Sequence, residues 1–262
     1  MNKEIASSTR LEEYKKNREK KVEAKDLVKA FDDLLVLNNI SFDIYKSEFL
    51  CIVGPTGCGK TTFLNVLAKL IPATEGDILI DGVSADPSRH NIAFVFQEPS
   101  CIPWQTVEKN IRFGLEIKKL PERVIKERTE KVMELIGLIR FRNYLPKELS
   151  SSLEQRVVIA RNFVMQPDIM LMDEPYGQLD IKLRYYLEDE LIKMWQELKP
   201  TVLFITHNIE EAVYMAERIL ILSNKPTTIK SEVIVDLPRP RNFADPGFVE
   251  VRDHITDLIR WW

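Results

Sequence analysis

One stretch of this chain has residue types and spacing suited to phosphate chemistry: Gly54-Pro55-Thr56-Gly57-Cys58-Gly59-Lys60-Thr61-Thr62. The pattern G-x-x-x-x-G-K-[ST] turns backbone N–H groups toward phosphate oxygens, because glycine bends tightly with no Cβ in the way. Lys60 then supplies a cation for the β- and γ-phosphates of a nucleoside triphosphate. The Thr61 hydroxyl supplies a ligand for Mg²⁺. The chain has only nine glycines, and three of them fall between Gly54 and Gly59. A glycine-rich turn without a ligand is the bland alternative.

A phosphate cradle alone does not cleave a phosphoanhydride. Phosphoryl transfer also needs a metal, an oriented water and stabilisation of the developing charge. Asp173 and Glu174 follow the apolar run Ile169-Met170-Leu171-Met172, which places them at a strand end, where ligands sit in open α/β sheets. Asp173 suits the Mg²⁺ shell and Glu174 suits polarising the attacking water. A solvated acidic pair is the competing reading. Gln97 closes the run Ile92–Phe96 and offers a neutral oxygen to Mg²⁺ or water. His207 closes Thr201–Thr206 and stands where a γ-phosphate sensor could lie. Either residue taken singly is as well explained by an ordinary structural role.

The elements that position these groups are legible in outline. Phe49–Val53 reads as a buried strand before the loop, and Phe63–Ile71 as a helix after it. Leu27–Phe31, Ile40–Ile44 and Asp77–Ile80 read as short strands, the last ending at the turn Asp81-Gly82. From Thr106 to Arg142 the pattern is helical and charged, broken at Pro121, and Ser150–Met165 is a second helix candidate. Lys182–Leu198 and Ile209–Ala216 read as helices. Ile219–Leu222 and Glu232–Val235 read as further strands, and Phe248–Trp262 as a terminal amphipathic helix. Alternation of strands and helices predicts an α/β fold with a mainly parallel sheet. The charged residues 1–21 read as an extension, frayed or helical, outside the core.

Composition narrows the partners. With 262 residues and 45% hydrophobic content, the chain can form one large domain with a small appendage. The formal net charge of −3 shows no basic excess, which disfavours nucleic acid as a partner. Cys51, Cys58 and Cys101 have no metal-type spacing. No run approaches the ~20 apolar residues of a membrane span, and the first residues lack an apolar signal core. These features predict a cytosolic protein that reaches a membrane only through a partner.

Taken in order, the motifs resemble one family. The phosphate loop is followed by Gln97, then Leu149-Ser150-Ser151-Ser152-Leu153-Glu154-Gln155-Arg156, then Asp173-Glu174-Pro175. Gly177-Gln178-Leu179-Asp180 and His207 complete the set. This succession over residues 22–236 resembles the ATPase subunit of ABC transporters. The resemblance implies a P-loop ATP-binding core, an antiparallel β subdomain and a helical subdomain inserted at about 100–165, with a linker and short helix at 237–262. It implies that Phe31 stacks on adenine and that Gly54 to Thr62 hold ATP. Thr61, Gln97 and Asp173 would hold Mg²⁺, Glu174 would be the catalytic carboxylate and His207 the switch histidine. Ser150 and Ser152 would meet nucleotide held by a second ATPase subunit, and Asp180 would touch that subunit. Implied partners are membrane permease subunits, a second ATPase subunit (homodimer or heterodimer) and, indirectly, a periplasmic or extracellular solute-binding protein. The implied location is the cytoplasmic face of the membrane.

Val95-Phe96-Gln97-Glu98-Pro99 with Pro103-Trp104, and the tail Asp236-Leu237-Pro238-Arg239-Pro240-Arg241, look like the importer group for nitrate, sulfonate, taurine or bicarbonate. Trp104 falls in the permease-facing region of that family, although a place in the local core explains it as well. Two departures stand out. Ser151 and Ser152 occupy positions where the family signature has glycines, and Gln178 stands where a serine is usual. The expectation is therefore an ATP-hydrolysing importer subunit, with a weakly hydrolysing or regulatory nucleotide-binding subunit as the alternative. Cys58, at a helix N-terminus, sits in a setting that favours thiolate, or is simply a small inert residue.

Overall fold

The computed structural model describes residues 10–16, 18–177, 179 and 181–259. The chain divides into two compact units: residues up to His90 together with Thr201 onward, and Asn91–Pro200.

The first unit opens with a short helix, α1 (residues 10–16). Two long strands follow, β1 (Lys20–Phe31) and β2 (Leu34–Tyr45), paired antiparallel. The buried strand β3 (Phe49–Val53) leads through the phosphate loop into α2 (Lys60–Leu67). Strands β4 (Glu75–Ile80) and β5 (Val83–Ser84) complete an antiparallel sheet in the order β2-β1-β4-β5.

The second unit contains β6 (Ile92–Val95), α3 (Val107–Ile117), α4 (Glu122–Leu135), α5 (Ser151–Phe163), β7 (Ile169–Asp173) and α6 (Ile181–Leu198). Its strands β6 and β7 pair in parallel. Pro121 stands at the N-cap of α4, as the break in the helical pattern predicts. Leu115, Val132, Met133 and Phe163, from α3, α4 and α5, are all buried.

The chain then returns to the first unit with β8 (Thr201–Ile205), α7 (Ile209–Met215), β9 (Arg218–Leu222), β10 (Ile229–Ile234) and α8 (Pro246–Ile259). Strand β3 pairs in parallel with β8 on one side and β9 on the other, while β10 pairs antiparallel with β9. All five residues of β3, β8 and β9 are buried. That accounts for the apolar runs Phe49–Val53, Val202–Ile205 and Ile219–Leu222 within them, since a strand covered on both faces shows no alternation. The sheet is therefore mainly parallel with one antiparallel strand, as the alternation of strands and helices predicts.

The N-terminal helix is docked rather than frayed. Tyr14 donates its hydroxyl to Glu48 Oε1 at 3.0 Å, and Lys15 pairs with Glu232 at 3.1 Å. Beneath it, the Arg218 guanidinium binds both carboxylate oxygens of Glu48 at 2.8 and 3.0 Å, and Glu232 at 2.8 Å. Arg218 and Glu48 are fully buried. Burial and the neighbouring Glu48 carboxylate push the Tyr14 phenol well above its ordinary range. The sequence pattern hid this arrangement because its partners lie in α1, β9 and β10, far apart along the chain.

Candidate functional site

The phosphate loop takes the form its glycines dictate. Gly59 adopts φ +114°, a backbone region that other residues rarely enter. A Cβ at Gly59 would lie 2.8 Å from Val36 Cγ1. Helix α2 starts at Lys60 with no side chain capping it and no acidic residue in its first turn. An anion seated there would meet no competing side-chain cap. By contrast, Thr106, Ser150 and Asn208 side chains accept backbone N–H bonds at the starts of α3, α5 and α7. The open start of α2 fits a phosphate group, which the helix dipole also favours.

Lys60 is buried, and its ammonium donates to the carbonyls of Gly54 and Pro55 at 3.0 and 3.1 Å. Thr56, Gly57 and Thr61 are exposed, Pro55 and Thr62 half-buried, and Gly54 and Cys58 buried. Cys58 departs from the thiolate expectation. It is 2% exposed, and burial raises its thiol pKa more than nearby Lys60 lowers it. Desolvation outweighs the helix N-terminus here.

Two residues that sequence reasoning missed brace the loop. Thr227 donates its hydroxyl to the carbonyl of Cys58. Its own amide donates to Val36 O at 2.8 Å, and Thr227 O accepts from Asn38 N at 2.9 Å. Val36 fills the space beside Gly59. No local motif marks Thr227, because it acts across 169 positions of sequence.

Phe31 ends β1 and is 44% exposed, and Lys29 Nζ lies 4.7 Å from its ring centroid. An open aromatic face of this kind can stack on a base. His207 is exposed immediately after β8. Around it, Thr206 donates its hydroxyl to Glu211, and Asn208 N donates to Thr206 Oγ1 at 3.0 Å. Asn208 Oδ1 accepts from Glu210 N and Glu211 N at 2.9 and 3.3 Å. The sequence Asn-Ile-Glu-Glu is a legible helix start.

In the second unit, Asp173 is the last residue of β7 and is buried. Glu174 follows with φ +44°, a left-handed conformation that aims the next turn away from the strand. Gly177 N closes that turn on Glu174 O at 3.1 Å. A Cβ built on Gly177 would lie 3.4 Å from Gln97 Nε2 and 3.8 Å from Glu174 Oε2. Gln97 and Glu174 thus both border one glycine, although 77 positions separate them in sequence. Ser150 caps α5 by accepting from Leu153 N at 3.4 Å. Ser151 is exposed and Ser152 is buried in the first turn. Gln178 and Asp180 lie outside the described residues.

Among the described residues, no group of three or more His, Cys, Asp or Glu side chains is placed to hold a metal ion. No described helix is long and apolar enough to cross a membrane.

The ABC transporter family model matches residues 37–177, from β2 to the turn after Glu174. The aliphatic sulfonates import ATP-binding protein of Bacillus cereus is 39% identical over 220 residues, covering 84% of this chain and 86% of that protein. The nitrate import ATP-binding protein of Synechocystis is 37% identical over 236 residues, covering 87% and 89%. A dimeric ATP-binding cassette solved in a post-hydrolysis state with ADP and Pi is similar in structure. Its TM-score is 0.71 at 31% identity, over 83% of this chain and all of that one. With its phosphate loop, its antiparallel sheet and its helical segment in this order, the chain belongs to the ABC transporter ATP-binding family.

Proposed function

We propose that this chain hydrolyses Mg²⁺-bound ATP to power a membrane importer for a small anion of the sulfonate or nitrate type. The observation that carries the ATP reading is the uncapped start of α2 behind Gly59. The importer reading rests on what the sulfonate and nitrate relatives are named for. Those names do not favour the regulatory alternative.

In this reading Phe31 stacks on adenine, and the residues from Gly54 to Thr62 enclose the phosphates. Lys60 exchanges its two loop carbonyls for phosphate oxygens. Thr61, Gln97 and Asp173 would hold Mg²⁺, which would supply positive charge opposite that developing on the phosphate oxygens. A donor set this sparse suits a cation that keeps waters and substrate phosphates in its shell. Glu174 orients the attacking water, and His207 contacts the γ-phosphate. Ser150 and Asp180, with the exposed Ser151 and the backbone of Ser152, serve a second ATPase subunit, a copy of this chain or a related one. The chain works peripherally at the cytoplasmic membrane face, on permease subunits fed by a solute-binding protein.

The test is phosphate release by the purified full chain. Glu174→Gln is expected to retain MgATP binding and lose turnover. Lys60→Ala is expected to lose binding. Full turnover in Glu174→Gln would overturn the assignment of the catalytic carboxylate.

A further inference from the structure

Helix α7 has no ordinary C-terminal stop. Its C-cap, Ala216, is extended rather than left-handed, and no glycine follows it. The carbonyls of its last turn therefore have no helical partner. They are also covered, since Val213, Met215 and Ala216 are fully buried and Tyr214 is nearly so. A buried carbonyl without a donor is strongly unfavourable.

The donors come from the tail. Arg241, 8% exposed, gives Nη1 to the carbonyls of Val213, Tyr214 and Ala216 at 2.7, 3.0 and 2.6 Å. Its Nη2 donates to Val235 O at 3.0 Å and its Nε to Leu237 O at 3.3 Å. Arg239 donates to Tyr214 O and Met215 O at 3.3 and 2.5 Å. These hydrogen bonds of Arg241 all end on backbone carbonyls. Two cations at a helix C-terminus also match the sign of its dipole. Phe243 stacks on Tyr214 at 4.7 Å, and Phe243 meets Phe248 of α8 edge-on at 5.1 Å. At the other end of α7, Arg252 pairs with Glu210 at 3.3 Å. The tail thus holds α7 at both ends.

The start of α7 is tied to the end of β8. Thr206 is bonded to Glu211, and Asn208 caps the helix. His207 sits between those two anchored residues. A shift of α7 along its axis would carry the His207 backbone with it.

From this geometry we propose that Arg239 and Arg241 are positioning residues for His207, acting through α7. The tail segment Leu237–Arg241 fixes where the histidine side chain meets the reacting phosphate. The inference rests on the catalytic reading of His207 given above. A displacement of about 1 Å at a reacting group can cost ~10²-fold in rate, so modest slippage of α7 is enough to matter.

The experiment is a double-mutant cycle in the full chain, read as single-turnover cleavage of radiolabelled ATP. The variants are Arg239→Met, Arg241→Met, His207→Ala and each arginine change combined with His207→Ala. Arg239→Lys, which keeps a cation and donors, serves as the conservative rescue. MgATP affinity identifies variants that remain folded. Arg241→Met removes the most buried bonds, so the less buried Arg239 carries the test if Arg241→Met does not fold.

The expected result is a drop in cleavage of ~10-fold or more for Arg239→Met, with MgATP affinity unchanged and partial recovery in Arg239→Lys. In the His207→Ala background the same change is expected to cost almost nothing, because its effect passes through the histidine. An equal drop in both backgrounds would show a role independent of His207 and overturn the proposal, as would unchanged cleavage in Arg239→Met. Full cleavage in His207→Ala would instead remove the catalytic reading of His207 and the inference with it.

Discussion

The side-chain hydroxyl of Thr227, wholly buried, donates to the carbonyl of Cys58 in the middle of the phosphate loop. The same residue bridges in parallel fashion to Leu37 of β2. One threonine therefore connects the nucleotide loop to the antiparallel sheet. Replacing it by valine keeps the shape and removes the donor, leaving a buried carbonyl without its partner. The expected loss of stability is about 1–3 kcal/mol. MgATP affinity should fall with it, since the loop must hold its amides in place before the ligand arrives. Thermal melting with and without MgATP measures both effects, and an unchanged melting temperature would show that the brace is dispensable.

Cys58 and Cys101 give a pH prediction. Burial raises both thiol pKa values, that of Cys101 to about 11. A thiol whose folded pKa lies above its unfolded value holds its proton in the folded state longer than in the unfolded one. Its contribution to stability is thus complete below pH ~9 and declines as pH rises toward the folded value. Alkylation of both thiols should be slow at pH 7.5, with Cys58 the slower because it is only 2% exposed. Mass spectrometry of the alkylated chain between pH 7 and 10 checks this. Rapid labelling of Cys58 at neutral pH would mean that the loop opens readily in solution.

The phosphate loop, the buried strands and the helix N-caps were legible because each is written in adjacent residues. Gly59 and Lys60 declare the loop, and Asn208 declares the start of α7. Residues that act across the sheet left no local trace. Thr227 reaches Cys58 from a distant turn, and Arg218 meets Glu48 from 170 positions away. Strand lengths were underestimated for a related reason. Residues 20–26 of β1 carry mostly charged side chains on an antiparallel sheet, where one face tolerates them, whereas residues 34–37 of β2 are an apolar run set off from Ile40–Ile44 by Asn38 and Asn39. The thiolate expectation for Cys58 failed because a helix terminus is visible in sequence and burial is not. The tail is legible as a segment resembling that of the importer group, but not the contacts of its arginines, since the carbonyls that bind them belong to a helix more than twenty residues earlier.

Trp104 is 78% exposed, which rules out the local-core reading. So large an apolar surface is a candidate contact for a membrane partner. Trp104→Ala should leave melting within about 0.5 kcal/mol of the parent and leave soluble ATP hydrolysis intact. Transport in vesicles containing the reconstituted permease should fall sharply. Equal loss of hydrolysis and transport would assign the residue to the ATPase itself.

Ser151 and Ser152 open α5 at the place where the resembling family has glycines. Ser150 supplies the cap through its hydroxyl, so the helix start does not depend on either following serine. Ser151 is exposed and free of that duty, whereas Ser152 is turned inward and 6% exposed. The two positions should therefore respond differently. At Ser151 a glycine removes a Cβ from the surface that would face a second subunit's nucleotide, letting the amide approach phosphate more closely. At Ser152 a glycine removes a buried side chain and loosens the first turn, with a cost of up to about 1 kcal/mol for the lost helix propensity. A single well-placed donor to a developing oxyanion is typically worth ~10²–10³ in rate. Ser151→Gly should thus raise turnover at saturating ATP, with little change in monomer affinity, because affinity is set by the loop around Lys60. Adding Ser152→Gly should lower the melting temperature without a comparable further gain. Steady-state phosphate release and calorimetry on the single and double variants separate the two effects. Turnover equal to or below the parent in Ser151→Gly, with melting preserved, would show that serine serves at this contact as well as glycine does.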